Sequence, residues 1–192
     1  TQVVKERTGE IMFGLNMVVH KGKTIFVGDT RVHEYPTSKQ LSEIAISSAR
    51  VVRLFGFDPK VAFVSHSTFG QPLTSRTKHI NEAVEILKEK KVDFEFDGDM
   101  QPDVALNEEY KSLYPFSKIV GNANILIMPG QHSAAISYKM MKTLGDIKVI
   151  GPLLIGLGLP IEIAPLRSST SEIINLASIA AYSADVINYK KN

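Results

Sequence analysis

Two apolar stretches rich in β-branched and aromatic residues, IMFGLNMVV and KTIFVGD, flank the polar HKGK. They predict a β-hairpin over Ile11–Val19 and Lys23–Asp29 with Gly22 in the turn. Beyond Pro36 the period changes. Leu41, Ile44, Ser48, Val52 and Phe55 recur at helical spacing. Thr37 and Gln40 form a capping box ahead of them, and Gly56 closes the helix. KVAFVSH reads as a buried strand. Ile80, Ala83, Val84 and Leu87 mark a second helix, and VDFEFD alternates as a half-buried strand does. NEEYKSLYP predicts a short helix or turn. ANILIMP predicts a buried strand, and SAAISYKMMKTLG a helix ended by Gly145. IGPLLIGLGLP then leads into a strand, IEIAPL, and a final helix from about Ser169 to Asn188. Its buried face is expected at Ile173, Leu176, Ala177, Ala180, Ala184 and Ile187.

Strand and helix alternate from Lys60 onward, and the strands are continuously apolar. That pattern predicts an α/β fold with a largely parallel sheet covered by helices on both faces, the opening hairpin adding an antiparallel edge. The 192 residues, 44% hydrophobic, suffice for a core without covalent staples. Net charge is +2 from 22 basic and 20 acidic residues, well mixed, so no one-sided basic patch speaks for nucleic acid. The absence of cysteine excludes disulfides, thiol catalysis and thiolate metal sites. The longest apolar run, VIGPLLIGLGLPIEIA, is broken by glycine and proline and falls short of the ~18–20 residues of a membrane span. A cytoplasmic protein with no membrane partner is expected, and the opening TQVVKERTGE reads as a cut into a longer chain.

Ligands of open α/β sheets gather at the carboxyl ends of strands. Three loops qualify. SHSTFGQP offers Ser65 and Ser67 to an anion. FDGDMQPD carries Asp97, Asp99 and Asp103, in an order unlike a calcium loop. PGQHSAAISYK places His132 and Ser133 where a helix start would meet a ligand. His20, His33, His66 and His79 form no metal motif, and no metal site is expected. Ahead of the last helix, PLRSSTSE holds Ser169 and Glu172 at capping-box spacing. A cap leaves Arg167, Ser168, Thr170 and Ser171 around the positive helix end, where an anion could also sit.

The order of these segments resembles the phosphate acetyltransferases. DTRVHEYPTSKQLSEIA is similar to their D-x-x-V-N-x-x-P-T-x-x-Q-L-x-x-I-A segment, and DFEFDGDMQPDVAL to their DGE-x-Q-x-DAAL segment. GNANILIMP and IGPLLIGLGLPIEI match later strands of the family. VAFVSHSTFG and LYPFSKIVGNANILIMP look most like one branch, the phosphate-acetyltransferase-like domain at the C-terminus of large bacterial malic enzymes. The resemblance implies two α/β domains, one inserted into the other, with acetyl-CoA bound in or near their cleft. Residues 1–154 would be the inserted domain, and 155–192 the returning strand and helix of a truncated second α/β domain.

The departures bear on chemistry. Active relatives carry Ser-Arg-Gly before the last helix and an acid in its first turn, proposed as the base for the CoA thiol. Pro165, Leu166 and Arg167 stand in the Ser-Arg-Gly places, and Glu172 in the acid's place. His33 replaces an asparagine, and FGQP lacks the family's Gly-Ser-Gly. The resemblance therefore implies a regulatory and assembly domain that senses acetyl-CoA or a related acyl-CoA, forms a dimer or larger homo-oligomer, and does not transfer acyl groups. NADP and a divalent metal would belong to a missing N-terminal malic enzyme region. The alternatives are a fragment of an active phosphate acetyltransferase, with Glu172 as base and Arg167 on phosphate, and a dimerisation domain without ligand.

Overall fold

A computed structural model describes residues 4–70 and 73–189. Thr1 of the opening segment, Gln71 and Pro72 of the FGQP turn, and the side chain of Ile187 lie outside what it describes.

The hairpin forms as expected. Strand β1 (Phe13–His20) pairs antiparallel with β2 (Lys23–Gly28). Lys21 and Gly22 join them with φ of 47° and 77°, the two positive values a tight two-residue hairpin turn requires. Helix α1 (Ser38–Leu54) starts at a complete capping box. The Gln40 N–H donates to Thr37 Oγ1 at 3.2 Å, and the Thr37 N–H to Gln40 Oε1 at 2.9 Å. Its buried stripe runs through Leu41, Ile44, Ala45, Ser48, Ala49 and Val52. Gly56, at φ 83°, turns the chain out of the helix.

Next come β3 (Lys60–Val64), α2 (Ser75–Glu89) and β4 (Glu95–Met100). Two short helices follow, α3 (Pro102–Leu106) and α4 (Glu108–Lys111), then β5 (Ile125–Ile127) and α5 (Gln131–Leu144). The chain ends with β6 (Lys148–Ile155), β7 (Ile161–Glu162) and α6 (Thr170–Tyr189). All seven strands form one sheet, in the order β4-β3-β5-β2-β1-β6-β7. β2, β5, β3 and β4 are mutually parallel, and the successive antiparallel steps β2–β1–β6–β7 turn β6 back to their direction. Only β1 and β7 oppose the rest, so the sheet is largely parallel. One face packs on α1 and α2 through Phe13, Phe26, Ile44, Phe63 and Leu87. The other packs on α3 and α5 through Val27, Val64, Met100, Ala134 and Tyr138.

Four expectations shift. The hairpin is not an edge: β6 pairs along β1, from Phe13↔Ile155 to Val19↔Lys148. β1 is buried on both faces, so it needs a neighbour on each side, and the glycine- and proline-bearing IGPLLIGLGLP segment supplies one. β4 begins at Glu95 because its partners begin at Lys60, three residues later than the alternation suggests. β7 keeps only the first two residues of IEIAPL. On α6 the buried side is Leu176, with Ile179 against the core, while Ile173, Ile174 and Ala177 are exposed. The helix packs along β6 and β7, pairs with α5 through Glu172 and Lys142, and meets α1 at Leu54, whose carbonyl accepts the Tyr182 hydroxyl at 3.2 Å. A narrow stripe suffices for that contact.

Candidate functional site

The side chain that organises the carboxyl end of β2 is Asp29. It is 1% exposed and accepts four backbone N–H groups. They come from Gly14 at 2.9 Å, Arg31 at 2.8 Å, Val32 at 3.1 Å and His33 at 2.9 Å. The His33 ring adds Nδ1 at 2.7 Å. A carboxylate so surrounded fixes the path of residues 29–33 in the way a helix cap fixes a first turn. The Arg31 stem is held low, because a Cβ on Gly14 would lie 2.9 Å from Arg31 Cβ. The neighbouring β5 loop docks on this one through the Gln131 N–H on the His33 carbonyl at 2.9 Å.

Arg31 opens into a pocket at the sheet edge where α5, β6 and α6 meet. Tyr138 and Lys142 of α5, Val149–Pro152 of β6, and Pro165, Ser168, Glu172 and Asn175 around the start of α6 line it. Its volume is about 50 Å³, room for a few waters or one small anion. Ser168 points a buried hydroxyl that has no hydrogen-bond partner among the described residues. The first N–H groups of α6 face out of the helix end, since no preceding turn exists to accept them.

Glu172 forms the cap its spacing predicts and adds an ion pair the sequence did not suggest. Its Oε2 accepts the Ser169 N–H at 2.7 Å and the Ser169 hydroxyl at 3.1 Å. Its own N–H donates to Ser169 Oγ at 3.2 Å. Lys142 Nζ lies 3.0 Å from Oε1. The Ser169 N–H, then Lys142 and the Ser169 hydroxyl, hold this carboxyl down to about 2. A group that weakly basic stays ionised and is a poor acceptor for a thiol proton.

The other expected residues are dispersed. Arg167 is exposed and does not line the pocket; Thr170 and Ser171 lie exposed on the first turn of α6. Ser65 and Ser67 follow β3, several strands away across the sheet. Ser67 is fully buried and donates to Asp99 Oδ2, and Ser65 Oγ lies 3.2 Å from Ser67 Oγ, so the pair ties its own loop to β4. His132 is exposed on the first turn of α5, and Ser133 donates to the Gly130 carbonyl at 2.8 Å as part of that turn. The three aspartates serve backbone donors. Asp97 accepts the Lys118 N–H at 2.7 Å, Asp99 the Gly70 N–H at 2.9 Å, and Asp103 the Val104 N–H at 2.9 Å. Among the described residues no three carboxylate or imidazole groups converge as metal ligands would. Of the eight residues expected to meet a ligand, Ser168 alone lines the pocket; Glu172, expected as cap or base, lines it beside Ser168. Arg31, Lys142 and Asn175 enter it unflagged, since a lone cation in a loop or on a helix breaks no period.

Residues 1–181 match the family model described as phosphate acetyl/butaryl transferase. The chain belongs to that family. It is 44% identical over 181 residues to an NADP-dependent malic enzyme of Rhizobium meliloti (strain 1021), covering 94% of this chain and 24% of the relative. It is 32% identical over 185 residues to the phosphate acetyltransferase of Bacillus subtilis (strain 168), covering 95% and 57%. A solved phosphotransacetylase from Streptococcus pyogenes superposes with a TM-score of 0.89 at 32% identity, over 95% of this chain and 57% of that one. The chain thus spans about a quarter of the malic enzyme relative and a little over half of the Bacillus subtilis acetyltransferase. Of Pro165, Leu166 and Arg167, expected in the Ser-Arg-Gly places, Pro165 lines the pocket, while Leu166 and Arg167 are exposed outside it.

Proposed function

We propose that this chain is the acetyl-CoA-sensing and assembly domain of an NADP-dependent malic enzyme, and that it binds the effector without transferring its acyl group. One observation carries the second half: Glu172, in the position of the family's base, is locked in a cap and ion pair and held at about 2. Acyl transfer from a CoA thioester to phosphate runs through a thiol proton that some group must exchange. The closeness to the Rhizobium meliloti malic enzyme supports the first half.

In this reading Arg31, the start of α6 and Ser168 meet a phosphate of acetyl-CoA or a related acyl-CoA, and one cavity wall comes from polypeptide outside residues 1–192. Residues 155–192 would belong with that second domain, and 1–154 would form the inserted one. NADP and a divalent metal serve the malate-oxidising region, and this chain holds neither. The domain associates with further copies, as the exposed Leu113, Phe116 and Val120 favour, and the whole works in the cytoplasm. The phosphate acetyltransferase of Bacillus subtilis, 32% identical, keeps the second reading in view, that of a transferase fragment.

Inhibition requires that acetyl-CoA bind one conformational state of the whole more tightly than another. Malate oxidation by the longest polypeptide the gene encodes should fall as acetyl-CoA is added, with uninhibited activity restored on its removal. Malate turnover indifferent to saturating acetyl-CoA, or no malate turnover at all, would remove the regulatory reading.

A further inference from the structure

A second cavity, of about 310 Å³, lies beside α6 and shares no residue with the pocket at Arg31. α1 forms one wall with Val51 and Leu54; β6 and its following turn form the other with Leu154, Leu157 and Leu159. Into this apolar space projects Glu162 of β7. Its Oε2 accepts the Leu154 N–H at 3.3 Å, and its other oxygen has no hydrogen-bond partner among the described residues. Three more charged groups line the same cavity, two guanidiniums around one carboxylate. Arg50 grips Glu10 with two hydrogen bonds of 2.9 and 2.8 Å, and Arg7 adds a third contact at 3.4 Å. That leaves one half-buried carboxylate with apolar walls and no ion-pair partner of its own among the described residues.

We propose that this cavity binds a primary ammonium carried on a short apolar body, with Glu162 as its counter-ion. A cavity of this size, mostly apolar with one convergent polar group, has the composition of a small-molecule site. An anion is disfavoured because Arg50 is held by Glu10 through two hydrogen bonds and the ionised Glu162 would repel it. A metal ion is disfavoured because one monodentate carboxylate in an apolar wall cannot replace its water shell. A guanidinium binds best with both carboxylate oxygens in its plane, whereas an ammonium is a compact point charge that one oxygen satisfies. The ammonium could arrive on a free amine or on a lysine side chain of another polypeptide segment. The chemistry at Glu162 is the same, and the probes below separate the two.

Burial drives the Glu162 carboxyl up to about 7 from 4.5, the Leu154 N–H opposing it only in part. Among the described residues, the charged groups that line the cavity with it are Arg7, Glu10 and Arg50, from the N-terminal segment and α1; α6 contributes the neutral Ser183. The sign follows. The folded state holds this proton more tightly than the unfolded chain, so the stability it contributes is fully present below about 4.5 and is lost as pH rises through about 7. An ammonium needs the ionised form. Its affinity should therefore rise about tenfold between about pH 6 and about pH 8, and near neutrality binding should release roughly half a proton.

The test is titration of the chain with 3-methylbutylamine, with 3-methylbutan-1-ol as the uncharged control and Nα-acetyl-lysine methylamide as the side-chain mimic. Calorimetry in buffers of different ionisation enthalpy reads the proton. The amine should bind at least tenfold more tightly than the alcohol at about pH 8, and Glu162→Gln should erase that preference while leaving the alcohol unchanged. Glu162→Gln removes only a buried charge, so folding should survive it and its stability should lose the slope between about pH 4.5 and 7. Tighter binding of the lysine mimic than of the amine would assign the site to a polypeptide side chain, with the ammonium site itself upheld. Equal affinity for amine and alcohol, amine binding untouched by Glu162→Gln, or no proton release would overturn the proposal. None of these outcomes depends on acetyl-CoA.

Discussion

Asp29→Ala should destabilise the chain by about 4 kcal/mol or more and lower its melting temperature by about 10 °C. The side chain is 1% exposed and accepts the N–H groups of Gly14, Arg31, Val32 and His33. Alanine leaves these donors in a closed site with no acceptor, and each unsatisfied buried donor costs ~1–3 kcal/mol, with partial relief from local rearrangement. Asp29→Asn keeps one acceptor oxygen and should lie between the two. The loss should spread to the pocket, because the loop that carries Arg31 owes its path to this carboxylate. Urea denaturation of the three proteins checks the order. An alanine variant as stable as the parent would mean the loop holds its shape without Asp29.

The second large effect concerns ligand affinity. Arg31→Ala should weaken binding of acetyl-CoA ten- to a hundredfold, the range for one charge-assisted contact of about 1.5–3 kcal/mol. Arg167→Ala should change it less than about threefold, since that side chain is exposed and outside the pocket. Arg31 is itself exposed and its stem lies over Gly14, so its removal should leave stability nearly unchanged. The two variants compared by NMR titration decide which arginine serves the ligand. Loss at Arg167 with Arg31 silent would return the site to the loop the sequence suggests.

The contrast between these arginines shows what the amino-acid pattern carries and what it does not. Periodicity and caps are local, and they were legible. Thr37 and Gln40 bond as their spacing requires, and so do Ser169 and Glu172. Lys21 and Gly22 turn the hairpin. The place of β6 was hidden, because Gly151, Pro152 and Gly156 interrupt a segment whose strand character comes from pairing with β1. The bounds of β4 were obscured by Asp97 and Asp99. These carboxylates stay buried in a strand because loops from elsewhere bring them N–H groups. The pocket was hidden for the same reason. Arg31, Lys142 and Asn175 are far apart in sequence, and only the meeting of the loop after β2 with α5, β6 and α6 brings them together. Hydroxyl-rich loops drew notice instead, yet Ser67 and Ser133 spend their hydroxyls on their own backbones and neighbours.

The central claim is that an acetyltransferase fold here holds its ligand without reacting it, and one assay addresses it directly. Acetyl-CoA and inorganic phosphate are mixed with the longest polypeptide the gene encodes, and release of CoA thiol is followed together with acetyl phosphate. With Glu172 ionised to about 2 and bound to Ser169 and Lys142, neither product should appear above the uncatalysed rate. Phosphate-dependent turnover that disappears in Glu172→Gln would contradict the account, because it would show the capped carboxylate working as a base.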